Sequence, residues 1–388
     1  MRDVAIVAAG QSEFGEFPQK SIKEIFAEAF DDMKSSLAGA LDPSVIEAAY
    51  VGTLGVGGFQ LGQPGPLLAK HVGLGNIPVT RVENACASGG FALLSAVLAV
   101  GSGQYDVVLA AGVEKMRDTS AMQGRYWLGV SGDTEYERLA GLTFAGIYAV
   151  MASRYMHDYH VPKKYLSMVA VKNHSHGALN PKAHFQRKIT LEQAMGAANV
   201  AYPLNLFDCS PTSDGAAAVL VTSLERAREF TPSPVKVLGF GAGTDYLAIH
   251  ERRSITGLEA ARIAATKAFA MAGISPSDID VAEVHDCFTI AEIMAYEDIG
   301  FAGRGEGWKL LEAGETTLGG RMPVNPSGGL KAKGHPLGAT GIAQAVEIFN
   351  QLRGKAGKRQ VAGARFGLTH NVGGSGGAAT VFIFGIDA

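Results

Sequence analysis

Little in this sequence points to nucleic acid, to a membrane or to a disulfide framework. Lysine plus arginine number 34 against 37 aspartate plus glutamate, the formal net charge is −3, and charges of one sign do not cluster. This balance argues against nucleic acid and membrane surfaces as partners. The longest apolar run, 91–100, is too short to span a bilayer. Three widely spaced cysteines are typical of a reducing compartment, so we expect a cytoplasmic protein.

Glycine, by contrast, is abundant. The 50 glycines among 388 residues are about twice the usual share of roughly 7%, and they predict many tight turns and close backbone approaches. Hydrophobic residues make up 47% of the chain, enough for a large core. The length itself predicts two or three domains at roughly 150 residues each.

An internal repeat organises the chain. The turn and strand predicted at 41–51 recur at 274–284, with Pro-Ser, an isoleucine, an acid, an alanine and a valine at the same offset. An amphipathic helix is predicted before each copy, at 22–37 and at 258–272. Two similar halves of alternating strands and helices explain this pattern and predict an α/β fold.

The segment 115–199 breaks the alternation and is richer in histidine, tyrosine, methionine and charge. We interpret it as an inserted loop region rather than an independent domain. The predicted organisation is therefore an N-terminal half formed by 1–114 and 200–232, the inserted region 115–199, and a C-terminal half formed by 233–388.

Histidines of the inserted region raise the question of a metal. The stretch 173–176 reads Asn-His-Ser-His, and His184 follows. No cysteine or carboxylate stands at ligand spacing, and no His-Glu-x-x-His helix is present. We expect exposed or substrate-facing histidines here and no metal site.

The first candidate catalytic residue is Cys86, in the sequence Asn-Ala-Cys-Ala-Ser-Gly at 84–89. A helix is predicted to begin here, and helix N-termini favour a thiolate over a thiol. Taken alone, a small buried cysteine is more often a packing residue. The repeat favours chemistry, because His335 begins the equivalent helix of the other half. Packing of the halves about a pseudo-dyad would bring the two helix starts together.

Two further segments complete the candidate site. The sequence Glu-Val-His-Asp-Cys-Phe at 283–288 directly follows a predicted strand, where open α/β sheets place their sites. His335 lies in a glycine-rich turn at 328–341, where the alternative is a core histidine. Near the C-terminus, the N–H groups of the glycine turn 371–374 are candidates for an oxyanion hole.

These segments, in this order and over nearly the whole chain, resemble the thiolase family. Most thiolases carry an Asn-Glu-Ala-Phe loop and a second catalytic cysteine in the last turn. This chain has His-Asp-Cys-Phe at 285–288 and Asn371 instead, a combination similar to the sterol-carrier-protein type and to archaeal acetyl-CoA acetyltransferases. The resemblance implies a thiolase fold, with two duplicated βαβαβαββ halves packed as a five-layered α-β-α-β-α sandwich.

The resemblance also implies catalytic roles. Cys86 is expected to carry the acyl group, with His335 lowering its pKa and taking its proton. Cys287 is expected to act as acid/base at the carbon α to the thioester. His285 and His335 would donate to the enolate oxygen, and the N–H groups of Cys86 and Gly373 would hold the second oxyanion.

Substrate contacts follow from the same resemblance. Ser254, Thr256, Gly257 and Leu258 are expected to lie along the pantetheine of coenzyme A. Coenzyme A and acyl-CoA are substrates on this interpretation, and no permanently bound cofactor is expected. Cys209 has no comparable setting and is expected to be structural.

The predicted function is that of an acetyl-CoA C-acetyltransferase, condensing two acetyl-CoA to acetoacetyl-CoA plus CoA, with thiolysis as the reverse. A homodimer or homotetramer closed through the inserted region is implied, as is a complex with hydroxymethylglutaryl-CoA synthase that feeds the mevalonate pathway. The alternatives are a degradative 3-ketoacyl-CoA thiolase of longer chain length, a ketoacyl-carrier-protein synthase, and a non-catalytic thiolase-like scaffold or acyl-CoA-binding subunit.

Overall fold

The computed structural model describes residues 1–58 and 60–386. The strands are β1 Val4–Gln11, β2 Ala48–Gly52, β3 Val79–Val82, β4 Val107–Glu114, β5 Asn199–Ala201, β6 Leu204–Asn205, β7 Gly215–Ser223, β8 Val235–Thr244, β9 Val281–Glu283, β10 Phe366–Gly373 and β11 Ala378–Gly385. The helices are α1 Ile22–Ser35, α2 Pro64–His71, α3 Ser88–Gly101, α4 Ala121–Gly129, α5 Phe144–Tyr159, α6 Lys164–Gly177, α7 Leu191–Met195, α8 Glu259–Ala272, α9 Thr289–Ile299, α10 Gly307–Glu312, α11 Gly329–Lys333 and α12 Leu337–Leu352.

One mixed sheet runs through both halves of the chain. Its nine strands follow the order β3-β2-β4-β7-β1-β8-β11-β10-β9. β1 and β8 pair antiparallel at the junction, and on either side the equivalent strands β7, β4, β2 and β11, β10, β9 follow outward. The first half adds β3, parallel to β2. At the matching edge of the second half, Val324 forms only an isolated bridge with Ala282.

The predicted duplication is confirmed. Short 3-10 turns beginning at Pro43 and Pro276 precede β2 and β9. The helices α1 and α8 take equivalent positions, and so do α3 and α12. Cys86 and His335 each stand two residues before the first residue of their helix, as the repeat requires.

The two halves of the sheet enclose a central pair of helices, and further helices cover the outer faces, which gives five layers. α1 packs against β1 and β7, α8 packs against β8 and β11, and α3 and α12 pack against each other between strands of both halves. Leu93 and Val97 of α3 share this central core with Ile342 and Phe349 of α12 and Phe382 of β11. Each such buried side chain contributes about 1.5–3 kcal/mol to folding, so the central layer is held by apolar burial from both halves.

Two glycines set how closely the central helices begin. A Cβ at Gly112 would lie 2.0 Å from the carbonyl oxygen of Gly338, and one at Gly89 would lie 2.7 Å from it. Neither contact is sterically possible, so only glycine permits this approach. The approach brings the start of α3, with Cys86, next to the start of α12, with His335.

The segment 115–199 is largely helical rather than a loop. It contains α4 to α7, and a single π-helical turn covers Thr134–Arg138. Helix α6 packs against α9 and α11 of the second half. The boundaries of the three predicted segments stay a prediction.

The expectation of exposed or substrate-facing histidines on α6 is wrong. His174 and His176 are buried, and their Nδ1 atoms bond the carbonyl oxygens of Arg187 and Asn325. His176 Nε2 also accepts from Leu318 N. The two histidine rings connect backbone segments that are separated in the sequence.

Among the described residues, every helix is too short or too polar to cross a bilayer.

Candidate active site

Cys86 lies in a constrained turn directly before α3. Ala85 has a φ of 50°, a left-handed conformation that costs a non-glycine residue of order 1–3 kcal/mol. The turn is held by Ser88, whose Oγ accepts from Asn84 N at 3.0 Å and donates to Ala85 O at 2.6 Å. A side-chain oxygen of Glu83 accepts from Ala85 N at 2.6 Å. The strained turn holds the half-buried Cys86 at the surface of a pocket.

Three of the four predicted catalytic side chains line this pocket. Cys86, Cys287 and His335 contribute to its wall, and the remaining lining is mostly apolar, from Met116, Leu128, Ser131, Phe144, Ser210, Pro211, Thr212, Phe288, Leu337 and Gly374. The cavity volume is about 90 Å³, roughly three waters' share of liquid volume at about 30 Å³ each. A small group fits above the sulfur.

His335 presents an unprotonated nitrogen to the pocket. Its Nδ1 lies 2.7 Å from Thr340 Oγ1, and that hydroxyl donates to Pro336 O at 3.0 Å. Because the hydroxyl hydrogen is used, Nδ1 must be the donor in the imidazole–threonine bond. Nε2 is then an acceptor, and it is buried without a hydrogen-bond partner among the described residues. Burial lowers the pKa of His335 to about 3, so the neutral base is the resting form.

His285 has the opposite tautomer. Asn371 Nδ2 donates to its Nδ1 at 3.2 Å. The amide orientation of Asn371 is fixed, since Nδ2 also donates to Cys86 O and Oδ1 accepts from Gly90 N. The proton of neutral His285 is therefore on Nε2, which is buried and also finds no partner among the described residues. Burial and the charge of His335 hold its pKa well below the usual range.

The structure therefore brings all four predicted catalytic side chains together. Cys86 Sγ and one ring nitrogen each of His285 and His335 lie within 4.8 Å of one another. Cysteine and histidine are zinc ligands, but the bond from Asn371 leaves the hydrogen on His285 Nε2 and opposes ligation there. A base, a hydrogen-bond donor and two thiols share one site.

Both thiols are protonated at rest. Burial, with the charges of Glu114 and Glu83, raises the pKa of Cys86 to about 12, although the N–H groups of Gly374 and of Cys86 itself act in the other direction. The expectation that His335 lowers this pKa does not describe the resting state, because the imidazole is neutral. Burial and the charge of Cys86 raise the pKa of Cys287 well above its usual range.

The acid of the His-Asp-Cys-Phe loop points away from the pocket. Asp286 accepts from Leu330 N at 2.6 Å, from Lys331 N at 3.1 Å and from Asn173 Nδ2 at 2.7 Å. It therefore ties the loop to α11, directly before His335. Its role is to fix the two catalytic loops relative to each other.

The glycine turn reaches the pocket through Gly374, which lines the wall and directs its N–H at Cys86. Gly373 is the last residue of β10, and a Cβ there would lie 2.4 Å from Asn84 O. The oxyanion role of the N–H groups of Cys86 and Gly373 stays a prediction.

Glu114 is a residue that the sequence analysis missed. Its buried carboxylate accepts from the N–H groups of Leu54, Gly55 and Val56, and from Gly338 N at 3.0 Å. It thus clamps a loop of the first half to the start of α12. The only sequence signal is an acid at the end of the apolar run 107–113.

The predicted coenzyme A segment does not reach this pocket. Ser254, Thr256 and Gly257 line a separate cavity, and Leu258 is buried beneath Gly376. Residues 210–212 line the catalytic pocket instead, and isolated bridges Cys209–Phe288 and Thr212–His335 attach this stretch to both catalytic loops. The contact of Ser254, Thr256, Gly257 and Leu258 with coenzyme A stays a prediction.

Family models and similar proteins both identify the thiolase family. The Thiolase N-terminal domain matches 4–202, and the Thiolase C-terminal domain-like family matches 241–386. An acetyl-CoA acetyltransferase of Methanothermobacter thermautotrophicus is 49% identical over 99% of this chain and 100% of its own length. Sterol carrier protein 2 of Gallus gallus is 36% identical over 99% of this chain and 72% of its own.

A solved structure titled "Ltp2-ChsH2(DUF35) aldolase" superimposes with a TM-score of 0.85 and 29% identity, covering 99% of this chain and 98% of the matched chain. The five-layered arrangement and the sterol-carrier-protein and archaeal likeness are thereby confirmed. The chain belongs to the thiolase family of acyltransferases.

Proposed function

We propose that this protein is an acetyl-CoA C-acetyltransferase that interconverts two acetyl-CoA with acetoacetyl-CoA and CoA. The observation that carries the proposal is the pairing of opposite tautomers around Cys86: His335 offers an acceptor nitrogen and His285 a donor nitrogen, and one ring nitrogen of each lies within 4.8 Å of Cys86 Sγ. Acyl transfer needs a base for the nucleophile and a donor for a developing oxyanion. The archaeal relative's name agrees with this substrate.

In the first half-reaction the thiol of Cys86 attacks the thioester carbonyl. Its proton moves to His335 Nε2 as the sulfur–carbon bond forms. The tetrahedral oxyanion is held by N–H groups of Cys86 and the glycine turn. When the thioester bond breaks, His335 gives the proton to the departing CoA sulfur, which leaves acetyl-Cys86 and CoASH.

In the second half-reaction Cys287 acts on the methyl group of another acetyl-CoA. The proton of the Cys287 thiol first moves to His335 Nε2. The thiolate then removes a proton from the α carbon, and the enolate oxygen takes hydrogen bonds from His285 and His335. The enolate carbon attacks acetyl-Cys86, and the expelled sulfur recovers its proton from His335. Thiolysis is the same path reversed.

The small apolar cavity supports a short acyl group. A volume of about 90 Å³ suits an acetyl group better than the tail handled by a degradative 3-ketoacyl-CoA thiolase. Residues 210–212, which line this pocket, would contact the pantetheine arm. The separate cavity of Ser254, Thr256 and Gly257 would then contact a more distant part of coenzyme A.

The physiological setting follows from the energetics of the condensation. Condensation of free acetyl-CoA is uphill for thiolases, so direct transfer of acetoacetyl-CoA to a consuming enzyme would drive it. We propose a cytoplasmic homodimer or homotetramer that delivers product to hydroxymethylglutaryl-CoA synthase for the mevalonate pathway. Failure of the two enzymes to co-purify, together with free diffusion of acetoacetyl-CoA, would remove this part of the proposal.

Thiolysis of acetoacetyl-CoA by CoA tests the reaction, with native protein beside Cys86→Ala and Cys287→Ala. We expect Cys86→Ala to be inactive and Cys287→Ala to acylate at Cys86 without completing the exchange. Cys209→Ala is the matched control, because its sulfur bonds only Asn205 O, and it should retain native turnover. Full activity of Cys287→Ala would contradict the assignment of the second thiol.

Two other outcomes would redirect the function. One structural relative is titled an aldolase. An aldol cleavage transfers no acyl group, so cleavage of a 3-hydroxyacyl-CoA that survives Cys86→Ala would favour that chemistry. Inertness toward acetoacetyl-CoA and longer 3-ketoacyl-CoAs alike would favour the non-catalytic scaffold.

A further inference from the structure

Tyr148 on α5 connects the inserted segment to both thiols. The residue is fully buried, and its ring stacks on Phe288 with centroids 4.6 Å apart and an interplanar angle of 25°. Its hydroxyl donates to Gly374 O at 3.0 Å. The N–H of the same glycine is directed at Cys86, so a single residue, Gly374, lies between the tyrosine and the nucleophile.

Tyr148 and Cys287 belong to the same buried cluster, and the hydroxyl of Tyr148 acts on the pKa of the Cys287 thiol. A phenol carries one hydrogen. While that hydrogen is donated to Gly374 O, the lone pairs of the phenolic oxygen can accept from the neutral Cys287 thiol. Once Cys287 loses its proton, rotation about the C–O bond redirects the hydrogen to the sulfur. The same hydroxyl therefore fits both protonation states of the thiol.

We propose that Tyr148 is a positioning residue for Cys287, whose hydroxyl stabilises the thiolate that removes the α proton. This inference deepens the proposed function and rests on it. The Cys287 proton moves to His335 Nε2, and Tyr148 turns its O–H toward the thiolate. The thiolate accepts the α proton, the C–H electron pair forms the enolate, and the hydroxyl returns to Gly374 O. Tyr148 keeps its own proton throughout.

The surrounding charges make such a donor necessary. Cys86 and Asp286 disfavour the Cys287 thiolate, whereas Tyr148 and the N–H of Phe288 favour it. Arg252, which also faces Tyr148, opposes the rise in its pKa, but burial keeps that pKa well above the usual range. The phenol therefore remains a donor rather than a base. A hydrogen bond to a charged group is about twice as strong as a neutral one.

Tyr148→Phe tests the proposal, because it keeps the ring against Phe288 and removes only the hydroxyl. Alkylation of Cys287 by iodoacetamide, followed by peptide mass spectrometry in a Cys86→Ala background, should shift its midpoint upward by about one pH unit. Exchange of acetyl-CoA methyl protons into deuterated water should slow roughly 10- to 100-fold, while acetylation of Cys86 changes less than about 3-fold.

Tyr155→Phe is the matched control. Tyr155 is equally buried on the same helix, but its hydroxyl bonds Glu297 away from the pocket. It should leave the alkylation midpoint and the exchange rate unchanged. Thermal unfolding of both variants separates a folding defect from a local one. If Tyr148→Phe does not fold, Phe288→Leu keeps the hydroxyl and loosens the ring, and a smaller upward shift of the midpoint is expected.

An unchanged midpoint in Tyr148→Phe, or equal loss of acetylation and exchange, would overturn the positioning role. Failure of the proposed function is a different result: native protein would then neither acetylate Cys86 nor exchange methyl protons with acetyl-CoA. The alkylation profile needs no turnover, so it reports on Tyr148 in either case.

Discussion

The imidazole rings of His285 and His335 face each other with centroids 5.2 Å apart and an interplanar angle of 83°. Their outer partners, Asn371 and Thr340, give them opposite tautomers. Neither ring is charged at neutral pH, because burial lowers both pKa values. Two histidines therefore supply a base and a hydrogen-bond donor beside the same cysteine, Cys86.

Substitution of the two histidines should affect different half-reactions. His335→Ala should slow acetylation of Cys86 by about 10²–10⁴-fold, since the base is lost. His285→Asn should leave acetylation within about 3-fold but slow condensation by about 10²–10³-fold through loss of an oxyanion donor. Mass spectrometry of the acyl-enzyme measures the first step, and acetoacetyl-CoA formation measures the second. Equal effects of the two variants on both steps would contradict the assignment.

Thr340 should matter through the tautomer it imposes on His335. Thr340→Val keeps the shape but removes the oxygen that accepts from Nδ1, so the imidazole is no longer held with Nε2 free. We expect acetylation of Cys86 to slow by about 10-fold, with KM for acetyl-CoA little changed. Thr340→Ser restores the hydroxyl and should recover most of the rate. Failure of Thr340→Ser to recover the acetylation rate would indicate a packing effect instead.

Ultraviolet absorbance of the thiolate should show that Cys86 is protonated at neutral pH. With a Cys86 pKa raised to about 12 and a His335 pKa lowered to about 3, the neutral pair persists across the neutral range. The difference between native protein and Cys86→Ala should show no thiolate at pH 7 and should grow only in strong base. A constant thiolate signal at neutral pH would mean a preformed ion pair.

Much of this site follows from the repeat. The equivalence of the segments around Cys86 and His335 predicts that two helices begin at one place, and the small residues there allow their close approach. The Cys287 loop follows from its position after a strand. Each of these signals is local in sequence. The five-layered packing of the duplicated halves brings the corresponding segments together around one pocket.

The remaining parts depend on distances that local patterns do not contain. The tautomer of His335 depends on a hydroxyl five residues away, and that of His285 on Asn371, 86 positions later. Ser254, Thr256 and Gly257 line a cavity separate from the catalytic pocket, because the paths of loops between strands are set by tertiary contacts. Tyr148 lies in the segment whose sequence indicated a loop.

Glu114→Gln should have two separate effects, one on the stability of the fold and one on the pKa of Cys86. An amide cannot accept all of the N–H bonds that the carboxylate holds, so we expect a loss of about 2–4 kcal/mol in the free energy of unfolding. Removal of the negative charge should at the same time lower the pH at which Cys86 titrates. Denaturant unfolding and the thiolate signal check the two effects. Glu306→Gln, at an exposed ion pair with Lys309, should change stability by less than about 0.5 kcal/mol.

His176 should make the stability of the fold sensitive to acid, and the variant His176→Gln isolates this contribution. Burial lowers its folded-state pKa to about 3, whereas the unfolded chain titrates near pH 6.5. Between these values the unfolded state binds the extra proton, so the stability that neutral His176 provides is present above about pH 6.5 and is lost as the pH falls.

We therefore expect the stability advantage of native protein over His176→Gln to shrink by about 3 kcal/mol between pH 6.5 and pH 4, at about 1.4 kcal/mol per pH unit. Denaturant unfolding at several pH values measures the difference. Comparing the two proteins cancels the opposing contribution of buried carboxyls such as Asp298, whose folded pKa is raised to about 7 by burial. A gap independent of pH would mean that His176 is already protonated in the fold, and its bonds from Nδ1 to Asn325 O and from Leu318 N to Nε2 could not then both exist.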